Sequence, residues 1–244
     1  FFFKQKTAYE IGVRLVGSGD VYKRQERGVM RVQDLTLGAP WGLELVGVAV
    51  AAFMLGSINP ALIVARWLGR DLRGSGSGNP GATNAGRVLG VRWGVLVGVL
   101  DVAKGFVPAY LAMLLPPHDR IQGYVAGLAA VLGHAYSPFL RGRGGKAVAT
   151  ALGAVLAVHP VLAAVLVVLF GAVVATTRYV AFGSVAAAVG MVVAGIGAGL
   201  GWWGGGDWWT CAWTSLLGLM VIWRHRRNLR AWRTRSRRRP STPR

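Results

Sequence analysis

The sequence predicts an all-α polytopic membrane protein with seven short transmembrane helices, its N-terminus outside and its C-terminus in the cytoplasm. Composition is the first reason: 53% of the 244 residues are hydrophobic and only 15% are charged, whereas a soluble domain carries about a quarter charged residues on its surface. Clustering is the second, because the scarce charges leave apolar runs long enough to cross a hydrocarbon layer of roughly 30 Å. The third is the placement of the basic residues, which alternates between the ends of those runs as topology requires.

The elements follow in chain order. Phe1 to Gln25 mix aromatic, charged and glycine residues without helical or strand periodicity. They read as non-native sequence ahead of a natural start at Met30, so residues 1–29 are set apart as an artefactual extension. Apolar runs then occupy Leu43 to Ala65, Trp93 to Leu115, Ile121 to Leu140, Ala147 to Thr177, Val180 to Leu200 and Thr210 to Trp223. Most hold about 20 residues, or about 30 Å of helix. The run from Ala147 to Thr177 would make about 46 Å of helix at 1.5 Å per residue, too long for one crossing. A hairpin at His159-Pro160 resolves it, because proline cannot continue a helical hydrogen-bond ladder. Seven helices also leave Arg141, Arg143, Lys146, Arg178 and the tail on one side, as the positive-inside rule asks.

The formal net charge of +19 does not point to nucleic acid. Ten of the 28 basic residues are arginines between Arg224 and Arg244, after the last apolar run, and the others sit in short loops where positive charge sets orientation and attracts anionic headgroups. The single cysteine, Cys211, excludes an intrachain disulfide and a cysteine-based zinc cluster. No metal site and no cofactor is expected.

Four polar elements fall in the inner loops. The first runs Gly74-Ser-Gly-Ser-Gly-Asn-Pro-Gly-Ala-Thr-Asn-Ala-Gly-Arg87. Its glycines, among them Gly78 and Gly81, let backbone N–H groups converge on an anion. Ser77, Thr83 and Asn84 add donors, and Arg87 adds a fork matched to phosphate oxygens. Gly76, Gly78 and Gly81 satisfy G-x-G-x-x-G, but a membrane-length helix precedes them rather than a strand, so a dinucleotide site is excluded. The second element, Arg141 to Thr150, sets Gly144, Gly145 and Lys146 at the mouth of the next helix, a favourable anion position. Leu140 and Ala147 stand where a P-loop needs Gly and Ser or Thr, so it is no nucleotide-triphosphate loop. The third places Ser184 about one turn inside the next helix. In the fourth, His225 and Asn228 are three apart and share a helical face. Asp101 and Lys104, also three apart within an apolar run, read as a structural ion pair supporting the first loop.

Together these elements resemble the PlsY family of bacterial glycerol-3-phosphate acyltransferases, from about Leu43 to Arg230. The most specific part is Gly76-Ser-Gly-Asn-Pro-Gly-Ala-Thr-Asn84 followed by Arg87; Gly-Gly-Lys and Trp-Arg-His-x-x-Asn reinforce it. The resemblance implies transfer of a fatty acyl group from acyl phosphate to the first hydroxyl of glycerol 3-phosphate, giving lysophosphatidic acid and phosphate. It implies an acyltransferase domain over residues 30–230, a basic cytoplasmic tail over 231–244, and a bacterial inner-membrane location among lipids. Catalytic roles fall by motif on Ser77, Arg87, Lys146, His225 and Asn228. Substrate binding falls on Gly78, Asn79, Gly81, Thr83, Asn84, Gly144, Gly145 and Ser184. Two departures are visible. Ala147 stands where the family usually carries Gly and is expected to stiffen the second loop, and Ala181 stands where many members have Ser.

Two phosphorylated substrates explain why phosphate binders outnumber acid–base pairs. Catalysis then rests on orientation and charge neutralisation. The attacking hydroxyl gives its proton to a substrate phosphate oxygen or to His225. A rival reading, a small transporter or channel for anionic metabolites, explains the helices and basic loops but not four polar elements gathered on one side.

Overall fold

The structure, a computed structural model, describes residues 39–117 and 119–237. The proposed extension over residues 1–29, His118 and the tail beyond Arg237 lie outside the described residues. The chain divides into two compact units between Glu44 and Leu45. Of the first unit, the described part is Ala39–Glu44, the opening of a helix. The second unit, from Leu45 onward, holds all the other described residues.

All regular structure among the described residues is helical: α1 (Ala39–Ser57), α2 (Pro60–Trp67), α3 (Ala82–Leu89), α4 (Val91–Met113), α5 (Arg120–Ala135), α6 (Val148–Val158), α7 (Pro160–Thr177), α8 (Val180–Gly199) and α9 (Trp208–Arg237). Among the described residues, four stretches are long and apolar enough to cross a membrane: Gly42–Trp67, Val91–Met113, Pro160–Thr177 and Val180–Gly199.

Several boundaries depart from the expected runs, each for a local reason. The first run breaks at Asn59-Pro60. Pro60 opens α2 where its missing N–H costs nothing, and the Asn59 side chain caps the new helix by accepting from the Leu62 N–H at 2.9 Å. The break frees carbonyls at the end of α1 and just beyond it. Ser137 Oγ donates to that of Ser57 at 2.8 Å and Lys104 Nζ to that of Ile58 at 2.7 Å. The third run ends at Ala135, and Pro138 starts a 3₁₀ turn, Pro138–Leu140, because proline disfavours the helical conformation before it. The run from Ala147 splits at His159-Pro160 as expected. The last helix outlasts its apolar run by more than ten residues, since Arg is a good helix former and neither Gly nor Pro interrupts before Pro240. Finally, the first inner loop hides α3, whose Ala85 is buried in a cluster with Val97 of α4.

Close contacts fix the helix directions. A Cβ on Gly183 would meet Phe170 and Val174, and one on Gly190 would meet Leu169 and Leu166, so α7 and α8 are antiparallel. Gly195 faces Cys211 and Thr214, and Gly218 faces Ala188 and Val192, so α8 and α9 are antiparallel too. Arg224 of α9 reaches Gly145, just before α6, whereas Thr210 lies 3.3 Å from His159 at the other end of α6. Hence α6 runs against α9 and α7 runs against α6, which makes α6 and α7 a hairpin turning at His159-Pro160.

Glycine brings main chains into contact elsewhere. An added Cβ would strike the Ala130 carbonyl from Gly56, the Phe53 carbonyl from Gly133, the Thr150 carbonyl from Gly105 and the Val102 carbonyl from Gly153. Helices in lipid associate by such close packing, because the bilayer is as apolar as their own side chains.

Candidate functional site

The helix directions gather all four polar elements at one end. They surround a cavity of about 1490 Å³ whose lining includes Ser77, Asn79, Gly81, Thr83, Asn84, Arg87, Lys146, Ser184, His225 and Asn228. Part of its wall is apolar, with Val99 and Val102 of α4, Leu152 of α6, Leu166 and Phe170 of α7, and Met191 of α8. One compartment therefore offers both charged donors and hydrocarbon contact.

The first loop is held by Asn84. Buried at the start of α3, it donates from its amide to the Leu72 and Ser75 carbonyls, both at 3.1 Å, and accepts from the Ser77 N–H at 2.8 Å. Gly76 and Gly78 adopt φ of 63° and 65°, a left-handed conformation that folds the loop around this amide. Asn59 adds a tie from below, donating to the Pro80 carbonyl at 3.0 Å. Thr83 and Arg87, one turn apart on α3, are exposed on the cavity side. Among the described residues no hydrogen bond engages the side chains of Ser77, Thr83, Arg87, Lys146 or Asn228, so their donors stay available to a ligand.

The second loop differs from expectation. Gly144 and Gly145 do not line the cavity, and their N–H groups donate to the carbonyls of Ala135 and His134, each at 3.1 Å. Glycine is needed there for contact with α5, because a Cβ on Gly145 would strike the His134 ring and one on Gly144 the His134 carbonyl. Those two N–H hydrogens are spent on α5, so what the glycines bring to an anion site is the placing of Lys146. Gly78 likewise lies behind the cavity, packed against the Arg73 carbonyl. Ala147, where the resembling family carries Gly, takes φ 63° and ψ 13°, a left-handed conformation that disfavours any residue with a Cβ.

Electrostatics suit an anion. Burial, with Arg224 and Arg87 close by, holds the Lys146 ammonium below its ordinary pKa. Burial also pushes the His225 imidazole down, aided by Lys146 and Arg224, although the Val221 carbonyl 2.8 Å from Nδ1 acts the other way. A carbonyl only accepts, so Nδ1 carries the proton and Nε2 of the neutral ring is an acceptor. Ser184, buried in the first turns of α8, donates its hydroxyl to the Val180 carbonyl at 2.9 Å and keeps lone pairs for a ligand. Ala181 lines the cavity beside it.

This arrangement, polar donors and apolar wall sharing one cavity in a membrane-spanning scaffold, coincides with a known family. Residues 46–235 match the sequence profile described as glycerol-3-phosphate acyltransferase. The chain belongs to that family. It is similar to the glycerol-3-phosphate acyltransferase of Thermus thermophilus, 42% identical over 190 residues, which span 77% of this chain and 91% of that one. It is also similar to that of Bacillus cytotoxicus, 41% identical over 181 residues spanning 74% and 87% of the two chains. Among solved structures it resembles the crystal structure of PlsY, an integral membrane glycerol 3-phosphate acyltransferase, in its glycerol 3-phosphate form. That match has a TM-score of 0.70 and 37% identity, over 78% of this chain and 92% of that chain. The lysophosphatidic acid form matches with a TM-score of 0.69 and 35% identity.

Within this acyltransferase scaffold, sequence reasoning overlooked two residues. His134 lies buried against the second loop, its Nδ1 3.4 Å from Asp101 Oδ1. Arg224 donates from Nε and Nη2 to the Gly145 carbonyl at 3.1 and 2.8 Å, and from Nη2 to that of Gly144 at 2.9 Å. His134 gave no signal beyond being a single histidine in an apolar run; Arg224 stood inside the Trp-Arg-His-x-x-Asn element. The Asp101–Lys104 pair forms as expected, at 2.9 Å and buried.

Proposed function

We propose that this chain transfers a fatty acyl group from acyl phosphate to the sn-1 hydroxyl of glycerol 3-phosphate, releasing lysophosphatidic acid and inorganic phosphate. The observation that carries this reading is the single cavity that collects Ser77, Thr83, Arg87, Lys146, Ser184, His225 and Asn228 from four distant segments. Their unspent donors suit two phosphates, and the apolar wall suits an acyl chain.

The hydroxyl oxygen attacks the acyl carbonyl carbon, and the bond from that carbon to the donor's phosphate oxygen breaks. Arg87 and Lys146 neutralise the phosphates, while Ser77, Asn79, Thr83 and Asn228 orient them. Nε2 of neutral His225 accepts a hydrogen bond from the attacking hydroxyl and aims it, and the hydroxyl proton ends on the departing phosphate. Gly78, Gly144 and Gly145 shape the loops, Gly81 and Asn84 border the cavity while Asn84 also holds the first loop together, and Ser184 offers its lone pairs to the glycerol. No cysteine lines the cavity, in keeping with direct transfer rather than a thioester.

We further infer seven crossings, with the N-terminus outside and the site on the cytoplasmic side of a bacterial inner membrane. Supporting this, Arg87, Arg141, Arg143, Lys146, Arg178, Arg224, Arg226 and Arg227 belong to the cavity end, whereas Trp202, Trp203, Trp208 and Trp209 are exposed at the opposite end. We infer with it an enzyme over residues 30–230, preceded by sequence foreign to it and followed by a basic tail. A transporter would need a second mouth, yet the opposite end is tied by Tyr124, Thr210, His159 and Asp207 through contacts of 2.6–3.3 Å.

The test is purified protein with palmitoyl phosphate and glycerol 3-phosphate, scored for lysophosphatidic acid. Product from acyl phosphate, with little from acyl-CoA, is expected; equal rates with both would overturn the donor assignment. Accumulation of labelled glycerol 3-phosphate in sealed vesicles without acyl donor would support transport instead. For topology, a cysteine label after Arg239 should react only from the cytoplasm and one in Gly204 to Gly206 only from outside; reaction from one side would refute the seven crossings.

A further inference from the structure

Lys146 sits on the least regular part of the site. The segment from Arg143 to Ala147 has no helical ladder, and a lysine side chain is itself a flexible stem bearing a point charge. For its ammonium to meet a phosphate in a repeatable place, the backbone before it must be fixed by something else.

The Gly145 residue is gripped from several directions. Its N–H donates to the His134 carbonyl at 3.1 Å, and its Cα presses on the His134 ring so closely that a Cβ would collide with Nε2. Its carbonyl takes both Nε and Nη2 of Arg224, and Nη2 also reaches the Gly144 carbonyl at 2.9 Å. A planar guanidinium is suited to this, because its donors diverge in a fixed fork that two neighbouring carbonyls can share. The fork lies over the Tyr136 ring, 5.3 Å from its centroid, which limits its own freedom.

We propose that Arg224 is a positioning residue for the acyl transfer: its fork clamps the Gly144 and Gly145 carbonyls and so fixes where Lys146 meets a substrate phosphate. This rests on the acyltransferase reading above and deepens it, because it links the last helix to the second loop. Arg224 spends its donors on the protein and touches no substrate, which separates it from Arg87.

The clamp has an electrostatic signature. Arg224 and Arg87 both act with burial to lower the Lys146 pKa. The other ionisable groups around the cavity are Asp101 on α4, His134 on α5, Arg178 and Tyr179 between α7 and α8, and His225 on α9. A phosphate-binding lysine works only while protonated, so activity falls as pH rises through its pKa. Removing the Arg224 charge raises that pKa and moves the alkaline limb upward. A general loosening that exposed Lys146 would relieve burial and raise the limb as well, so an unchanged melting temperature, rescue by guanidinium ion and an unmoved limb in Arg224→Lys are what separate the clamp from it.

The experiment measures kcat/KM with palmitoyl phosphate and glycerol 3-phosphate for the full chain and for Arg224→Ala, Arg224→Gln and Arg224→Lys. It runs from about pH 6 to about pH 10, with melting temperature as the control for folding. Arg224→Ala should lose about 10- to 150-fold, as expected for hydrogen bonds made by a charged donor. Its alkaline limb should rise, and added guanidinium ion should restore at least part of the rate. Arg224→Lys keeps the charge without the fork, so it should lose rate with its limb unmoved. If Arg224→Ala fails to fold, Arg224→Gln carries the test, with a raised limb and reduced rate. An active parent enzyme with normal Arg224 variants overturns the clamp alone, as does rate loss with neither limb shift nor guanidinium rescue. A parent that makes no lysophosphatidic acid overturns the underlying acyltransferase reading.

Discussion

Replacing Asn84 with Ala should cripple the first loop while leaving the membrane-spanning scaffold nearly intact. The Asn84 amide satisfies three main-chain groups, the carbonyls of Leu72 and Ser75 and the N–H of Ser77. Once it is gone, Ser75 and Ser77 can turn to water, since Ser77 is exposed and Ser75 half-buried. Leu72 is only 1% exposed, so its carbonyl is stranded at a cost of about 1–3 kcal/mol, and each of the other two losses adds about 0.5–1.5 kcal/mol. The sum, about 2–6 kcal/mol, falls on ordering a segment that carries Ser77 and precedes Thr83 and Arg87. Even its lower end predicts about a 30-fold loss in kcat/KM, expressed mainly as a raised KM for glycerol 3-phosphate. Asn84→Asp should be at least as damaging, because a carboxylate would face two carbonyl oxygens with no proton to offer. The assay is initial-rate kinetics on detergent-purified variants, paired with thermal melting to show that the helices stay assembled. An Asn84→Ala enzyme with the parent KM and kcat would refute this account of the loop.

Arg87→Ala, Lys146→Ala and Asn228→Ala should each cost about 10- to 150-fold in kcat/KM, and Arg87→Lys should also fail because an ammonium lacks the fork; neutralising Arg237, Arg238 and Arg239 is the control expected to be silent. If His225 must be neutral to aim the hydroxyl, its burial-lowered pKa puts the acid limb of the rate below the ordinary imidazole value of about 6.5. That limb should disappear in His225→Gln, and an unchanged limb there would assign it elsewhere. Lys104→Met leaves buried Asp101 without its ammonium partner, with only the His134 ring 3.4 Å away, and should destabilise the protein by about 3–5 kcal/mol, whereas Lys104→Met with Asp101→Leu should recover much of it, as melting curves would show. A shortened chain starting at Met30 should insert and turn over like the full one.

Much of this was legible because a bilayer imposes simple rules. Apolar runs announced α4, α7 and α8 within a few residues, and His159-Pro160 announced the hairpin through the chemistry of proline. The break at Asn59-Pro60 carried a comparable signal, a capping residue followed by proline, but the surrounding apolar run masked it. α3 was hidden for the opposite reason: flanked by glycines, its eight residues are too few and too polar to show an amphipathic period. The site's cations and hydroxyls stood out in the loops. What could not be read was which groups face the cavity. The N–H groups of Gly144 and Gly145, and the amide of Asn84, look like anion binders in a string of letters, and only packing against α5 and the loop carbonyls shows where their hydrogens go.

The contacts at Gly56, Gly105, Gly133 and Gly153 bear on how such a chain can diverge. At these four points main chain meets main chain, so no larger residue fits without parting two helices. Positions such as Val161 and Val168, 78% and 72% exposed on the outer face of α7, ask only for hydrophobicity and accept any apolar side chain. Mutational freedom is thus divided by location: a few invariable points set the frame, and a broad outer surface can be rewritten around it. Relatives about 40% identical can then keep one arrangement of helices, provided that their differences fall where the chain touches membrane rather than itself.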